Sequence, residues 1–99
     1  MIRNFPSRSP MPEVSRFFGI IVRMYSEPGS VHNEPHFHVY YQEDSAVYAI
    51  SSGSLIAGSL PRRQQRLIEA WCELHQEELF VDWNLLLDGH VINPIKPLE

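Results

Sequence analysis

The sequence predicts an α+β fold: a small antiparallel sheet of three to four strands with one long C-terminal helix packed on one face. Three observations carry this expectation. Residues 36–42 alternate with a period of two, as a half-buried strand does. Leu67, Ile68, Trp71, Leu74, Leu79, Trp83 and Leu86 recur at the spacing of an amphipathic helix. The strand-like segments all precede the helical one, an order that builds an antiparallel sheet with a helix laid against it.

In chain order, residues 16–25 are β-branched, aromatic and apolar on both faces. They predict one central strand with a bulge at Gly19. Ser, Pro, Gly and Asn then make residues 26–35 a loop. Within 36–42, one face carries Phe37, Val39 and Tyr41, and the other His36, His38, Tyr40 and Gln42. Glu43-Asp44 reads as a tight turn into a strand from Ala46 to Ile50. Ser51-Ser52-Gly53 turns again, and Leu55 to Ala57 is a short fourth strand. Pro61 sits where a helix tolerates proline, at its first position, with Ser59 as its cap. Asp88-Gly89 stops the helix. A helix from 61 to 88 is about 42 Å long, too long for so small a domain, so a break or an overhang is expected near Asp82 to Leu85. The tail from Val91, with Pro94 and Pro97, is expected to be extended.

The composition bounds the rest. A chain of 99 residues with 43% hydrophobic and 20% charged residues suits one globular domain over 11–99. Residues 1–10, aperiodic and carrying Pro6 and Pro10, read as a disordered N-terminal arm, with Met11 as an alternative start to Met1. No apolar stretch follows Arg3 and Arg8 within that arm, so it does not read as a signal peptide. The net charge of −4 gives no basic signature for nucleic acid. Cys72 is the single cysteine, which excludes an intrachain disulfide and points to the cytoplasm. The longest apolar run, Phe17 to Val22, is far too short to span a membrane.

The most chemically loaded segment is His32-Asn33-Glu34-Pro35-His36-Phe37-His38. His36 and His38 share a strand face roughly 6–7 Å apart, a spacing at which two imidazoles can share a divalent metal with Glu34 or His32. The same histidines, His32, His36 and His38, are the candidates for acid–base catalysis without a cofactor. The competing reading makes them scaffold, bonded to backbone or tyrosine hydroxyls. Alternation turns His36 and His38 away from the helix. His75, four residues after Trp71, then reads as a hydrogen-bonded core histidine, and Cys72 as a small buried residue rather than a nucleophile. Arg62, Arg63 and Arg66 crowd the first turns of the helix while Glu69, Glu73, Glu77, Glu78 and Asp82 follow, the reverse of what the helix dipole favours. These arginines, with Tyr40, are the candidates for binding an anion or a partner. Without a stacking platform beside them, a solvated basic end pairing with nearby acids, such as Arg66 with Glu69, competes with that reading.

Met11-Pro12-Glu13-Val14-Ser15-Arg16-Phe17-Phe18-Gly19-Ile20, followed by His32-Asn33-Glu34-Pro35-His36-Phe37-His38-Val39, resembles the signature of a family of short bacterial proteins catalogued as domain of unknown function 4160. Leu60-Pro61-Arg62-Arg63, the run Trp71 to Leu79 and the segment Asn93 to Leu98 look like that family's helix and tail. The resemblance covers residues 11–98. Where the family commonly shows Asn-Pro-Pro-His, this chain has Asn33-Glu34-Pro35-His36, and Glu27 to Val31 lengthen the loop ahead of His32. The resemblance implies a start at Met11 and a genomic habit of lying beside another small protein, similar to toxin–antitoxin pairs. It brings no catalytic residue.

The expectation that follows is an interaction or regulatory component of a two-gene, toxin–antitoxin-like module, with a protein partner encoded nearby or a homodimer. The alternatives are a small His-dependent nuclease or hydrolase, with nucleic acid then a partner held at the arginines, and a metal-binding module.

Overall fold

The computed structural model describes residues 12–26 and 34–99. The expected arm over 1–10, Met11 and His32 lie outside the described residues. The fold is α+β, and the expected numbers of strands and helices are corrected. The sheet has five strands in simple antiparallel order: β1 (Glu13–Phe17), β2 (Ile20–Arg23), β3 (His36–Tyr41), β4 (Asp44–Ala49) and β5 (Leu55–Gly58). The helical segment is two helices, α1 (Arg62–Leu74) and α2 (Gln76–Leu87).

The expected central strand over 16–25 is a hairpin. Phe17 pairs with Ile20, which leaves Phe18 and Gly19 as a two-residue turn. Both have positive φ, 51° and 80°. A two-residue turn with both residues left-handed matches the twist of a hairpin. Gly19 is therefore the turn rather than a bulge, and the sequence hides the turn because phenylalanine rarely takes this conformation. The one irregularity in this pair falls at Val14, between Glu13 and Ser15. The next turn sits one residue earlier than the sequence suggests: Tyr41 pairs with Asp44, so Gln42-Glu43 forms it, with Gln42 at φ 53°. Gly58 is where a side chain is excluded outright. Its φ is +74°, and a Cβ would lie 2.2 Å from the Ser45 carbonyl oxygen, so β5 approaches β4 there only because glycine is present.

One sheet face forms the core, with Tyr41 only partly buried at its end. Ile20, Val22, Phe37, Val39 and Tyr48 have no exposed surface and pack with Ile68, Trp71 and Leu79 of the helices. Burying each large apolar side chain of this kind contributes about 1.5–3 kcal/mol. Trp71 is the hub, with its ring 5.6 Å from Phe17 and 5.8 Å from Phe37.

The helix breaks at His75, not near Asp82 to Leu85. His75 leaves helical geometry, with φ −120° and ψ 25°. Tertiary ties fix the place: the Gln76 amide donates to the Ile50 and Ser51 carbonyls at 2.9 and 2.7 Å, and the Cys72 thiol to Ile50 at 3.7 Å. The break eases the charge order in α2 only, since α1 still begins with Arg62 and Arg63 and has no acid in its first turn. Glu77 and Glu78 now occupy the first turn of α2, where the helix dipole favours acids. Pro61 precedes α1 as its cap residue with no side-chain capping bond; Ser59 instead donates its backbone N–H to Ser45 at 3.1 Å.

The tail is extended, as expected, and tightly held. The Trp71 indole donates to the Lys96 carbonyl at 3.0 Å, the Ile95 amide to Val14 at 2.9 Å, and the Asn93 amide to the Asp82 Oδ1 at 2.9 Å. Ile92 and Ile95 are buried. Among the described residues no helix is long and apolar enough to cross a membrane.

Candidate functional site

The second sheet face carries the polar chemistry. Antiparallel register places Ile21 opposite Tyr40 and Arg23 opposite His38, and alternation brings His36 and Tyr25 to the same side. Ile21, Arg23, Tyr25, Tyr40 and Val47 are half-buried, in contrast to the sealed opposite face.

His36 and His38 do lie together, with ring centroids 5.1 Å apart. Both are buried, at 2% and 8% exposure. His36 Nδ1 is 2.8 Å from the Glu34 carbonyl oxygen, within hydrogen-bonding distance. That contact orients the ring from the loop that Pro35 stiffens. Trp83 of α2 lies 5.0 Å from His36, so the helix reaches this end of the face. The expectation that His36 points away from the helical layer is corrected here. The break at His75 sends α2 off on its own course and delivers Trp83 to the histidine.

His38 is held by a residue the sequence reading passed over. Tyr25 stacks on its ring at 3.9 Å, and the Tyr25 hydroxyl lies 3.1 Å from His38 Nδ1 and 3.3 Å from the Tyr40 hydroxyl. Tyr25 follows β2 and shares parity with Arg23, which is the sequence signal that could have placed it on the histidine face. Glu34 is exposed, and it is the backbone carbonyl of Glu34 that His36 uses. No three histidine, cysteine or acidic side chains among the described residues are grouped to hold a metal ion.

Arg62, Arg63 and Arg66 are exposed on the first turns of α1. Among the described residues none of them forms an ion pair; the expected partner of Arg66, Glu69, instead accepts from Gln65 at 3.2 Å. The arginines lie on a different element from the imidazoles, whereas Tyr40, the fourth of those candidates, lies on β3 with the histidines. His75 is hydrogen-bonded as expected, with Nδ1 2.5 Å from the Glu78 carboxylate, but it is a partly buried residue at the helix break rather than a core histidine. Cys72 is buried. Burial, then the charge of Glu73, pushes its thiol up to about 11, which keeps it protonated and unreactive near neutral pH.

Fold and surface together define a small α+β domain with one sealed sheet face and one half-open His/Tyr face. The chain belongs to the family described as Domain of unknown function (DUF4160), whose model matches residues 19–84, most of the chain. The match takes in the His/Tyr face and both helices nearly to the end of α2, and leaves the tail outside. No curated protein and no solved structure matches it.

Proposed function

We propose that the protein is a binding module, the interaction component of a two-gene, toxin–antitoxin-like pair, and that its His/Tyr sheet face receives the partner protein. The observation that carries this reading is the state of the histidines. His36 and His38 are buried, and each has its Nδ1 within hydrogen-bonding distance of a neighbour, Glu34 or Tyr25. The Nδ1 contacts fix the orientation of the rings, and their burial limits the access of a substrate to the remaining ring nitrogen, which favours a rigid surface over a proton relay. Around them the half-buried Tyr25, Tyr40, Ile21 and Val47 offer aromatic and aliphatic contact area with polar edges, the composition that favours the centre of a protein interface.

The test is to size the chain alone and together with the product of the adjacent gene. A stoichiometric complex is the expected result. A stable monomer that ignores its neighbour overturns the reading. The enzymatic alternative predicts that His36→Ala and His38→Ala abolish an activity while the fold survives. The binding reading predicts that both lower stability.

A further inference from the structure

The outer side of α2 carries a second feature, independent of the sheet face. Glu77, Glu78, Val81 and Asp82 form one wall of an open cleft, and Asn93, Pro94 and Ile95 of the tail form the other, enclosing about 290 Å³. The floor is apolar, and Val81 is 53% exposed. Leu74, the last residue of α1 before the break, is also exposed but lies outside the cleft lining.

Three carboxylates line this cleft, and no basic side chain does. Asp82 is the unusual one. It is 1% exposed; its Oδ1 accepts the Asn93 amide, and its Oδ2 has no hydrogen-bond partner among the described residues. A buried carboxylate oxygen without a donor is costly, and a cation close by offsets that cost. Glu78 is committed on one side to His75, and Glu77 is exposed at the rim.

We infer that this cleft docks a segment of a partner protein in which apolar residues alternate with arginine or lysine. The aliphatic residues cover Val81, Pro94 and Ile95, and the long cationic side chain enters between Glu77 and Glu78 toward Asp82. Charge complementarity selects this occupant: the cleft combines an apolar floor with three carboxylates and no basic lining residue, so a purely apolar or an acidic segment is disfavoured. The inference does not rest on the sheet-face reading, and either can fail alone.

The test uses the full chain and an acetylated, amidated tetrapeptide of alternating leucine and arginine, followed by backbone amide NMR. The expected result is saturable shifts at residues 77–82 and at Asn93 and Ile95. Affinity should fall at least fivefold when citrulline replaces arginine, and at least fivefold in the Glu77→Gln, Glu78→Gln double variant. Both glutamates are exposed, so the variant is expected to keep its circular dichroism spectrum, whereas Asp82→Asn serves only as a second variant if it folds. Equal binding of the citrulline peptide, shifts mapping elsewhere, or no binding overturns the inference. So do cleft resonances in the peptide-free protein that move with protein concentration, which identify a second copy as occupant. Cleft resonances that move with Arg3→Gln and Arg8→Gln also overturn it, by identifying the chain's own N-terminus.

Discussion

The Tyr25 ring lies 3.9 Å from the His38 ring and nearly parallel to it, while the Tyr25 hydroxyl sits 3.1 Å from His38 Nδ1. One residue thus fixes the histidine by stacking and by hydrogen bonding. It also bridges to Tyr40, so two side chains of β3 and one just beyond β2 act as a unit. Removing the hydroxyl alone, in Tyr25→Phe, is expected to cost about 1–2 kcal/mol, because His38 is buried and loses a partner. Tyr25→Ala should cost about 0.5–1.5 kcal/mol more through the lost ring pair. Urea midpoints measure both, and a Tyr25→Phe variant as stable as the parent would show that the hydroxyl contact is idle.

Phe18 holds a left-handed conformation in a turn that favours asparagine before glycine, and it is 60% exposed. Phe18→Asn is therefore expected to raise stability by about 0.5–1 kcal/mol. The edge-on contact of Phe18 with Phe17, at 6.2 Å between centroids, works against this gain. Thermal melting decides the sign, and a loss of stability would mean that the ring contact outweighs the turn.

Asp82 couples the tail to pH. Burial pushes its carboxyl above the ordinary 3.8, the Asn93 N–H pulls it down, and the charge of Glu78 pushes it up again. With the folded value above the unfolded one, the ionised group opposes folding. That penalty is absent below the unfolded value, grows as pH rises through the folded value, and is constant above it. Asp82→Asn keeps an acceptor for Asn93 and cannot ionise. Its stability relative to the parent should improve with rising pH by about 1.4 kcal/mol per unit that the carboxyl is raised. Paired denaturation curves from acid to neutral pH check this, and a difference that stays flat with pH would contradict it.

The Cys72 thiol, pushed up to about 11, is almost wholly protonated at pH 8, with a thiolate fraction of roughly one in a thousand. It is 1% exposed and points to the Ile50 carbonyl. Native protein should therefore react with a thiol-specific disulfide reagent orders of magnitude more slowly than denatured protein. Equal rates would mean that the junction between α1 and α2 opens freely.

Period-two alternation in 36–42 and the apolar stripe from Leu67 to Leu86 make the α+β class, an antiparallel sheet with a helical layer, and the placement of His36 and His38 on one face legible, but not the number of strands or helices. The other features depend on partners distant in sequence. Phe18 takes a conformation that its residue type disfavours, so the first hairpin read as one strand. The helix break is set by Gln76 and Cys72 reaching the Ile50 carbonyl, and His75 alone carries no helix-breaking signal. The role of Tyr25 depends on a register that only the folded sheet defines. Asp82 resembles any other acid on an amphipathic helix until the tail brings the Asn93 amide to it.

The sheet face is probed most directly at Val47, which is half-buried and opposite His38 in the register. Val47→Arg introduces a long charge at the centre of the proposed interface without entering the sealed core. The affinity for the product of the adjacent gene, measured by titration calorimetry, should fall at least tenfold in Val47→Arg while the melting temperature shifts by no more than a few degrees. Unchanged affinity in a folded Val47→Arg protein would contradict the claim that this face receives the partner.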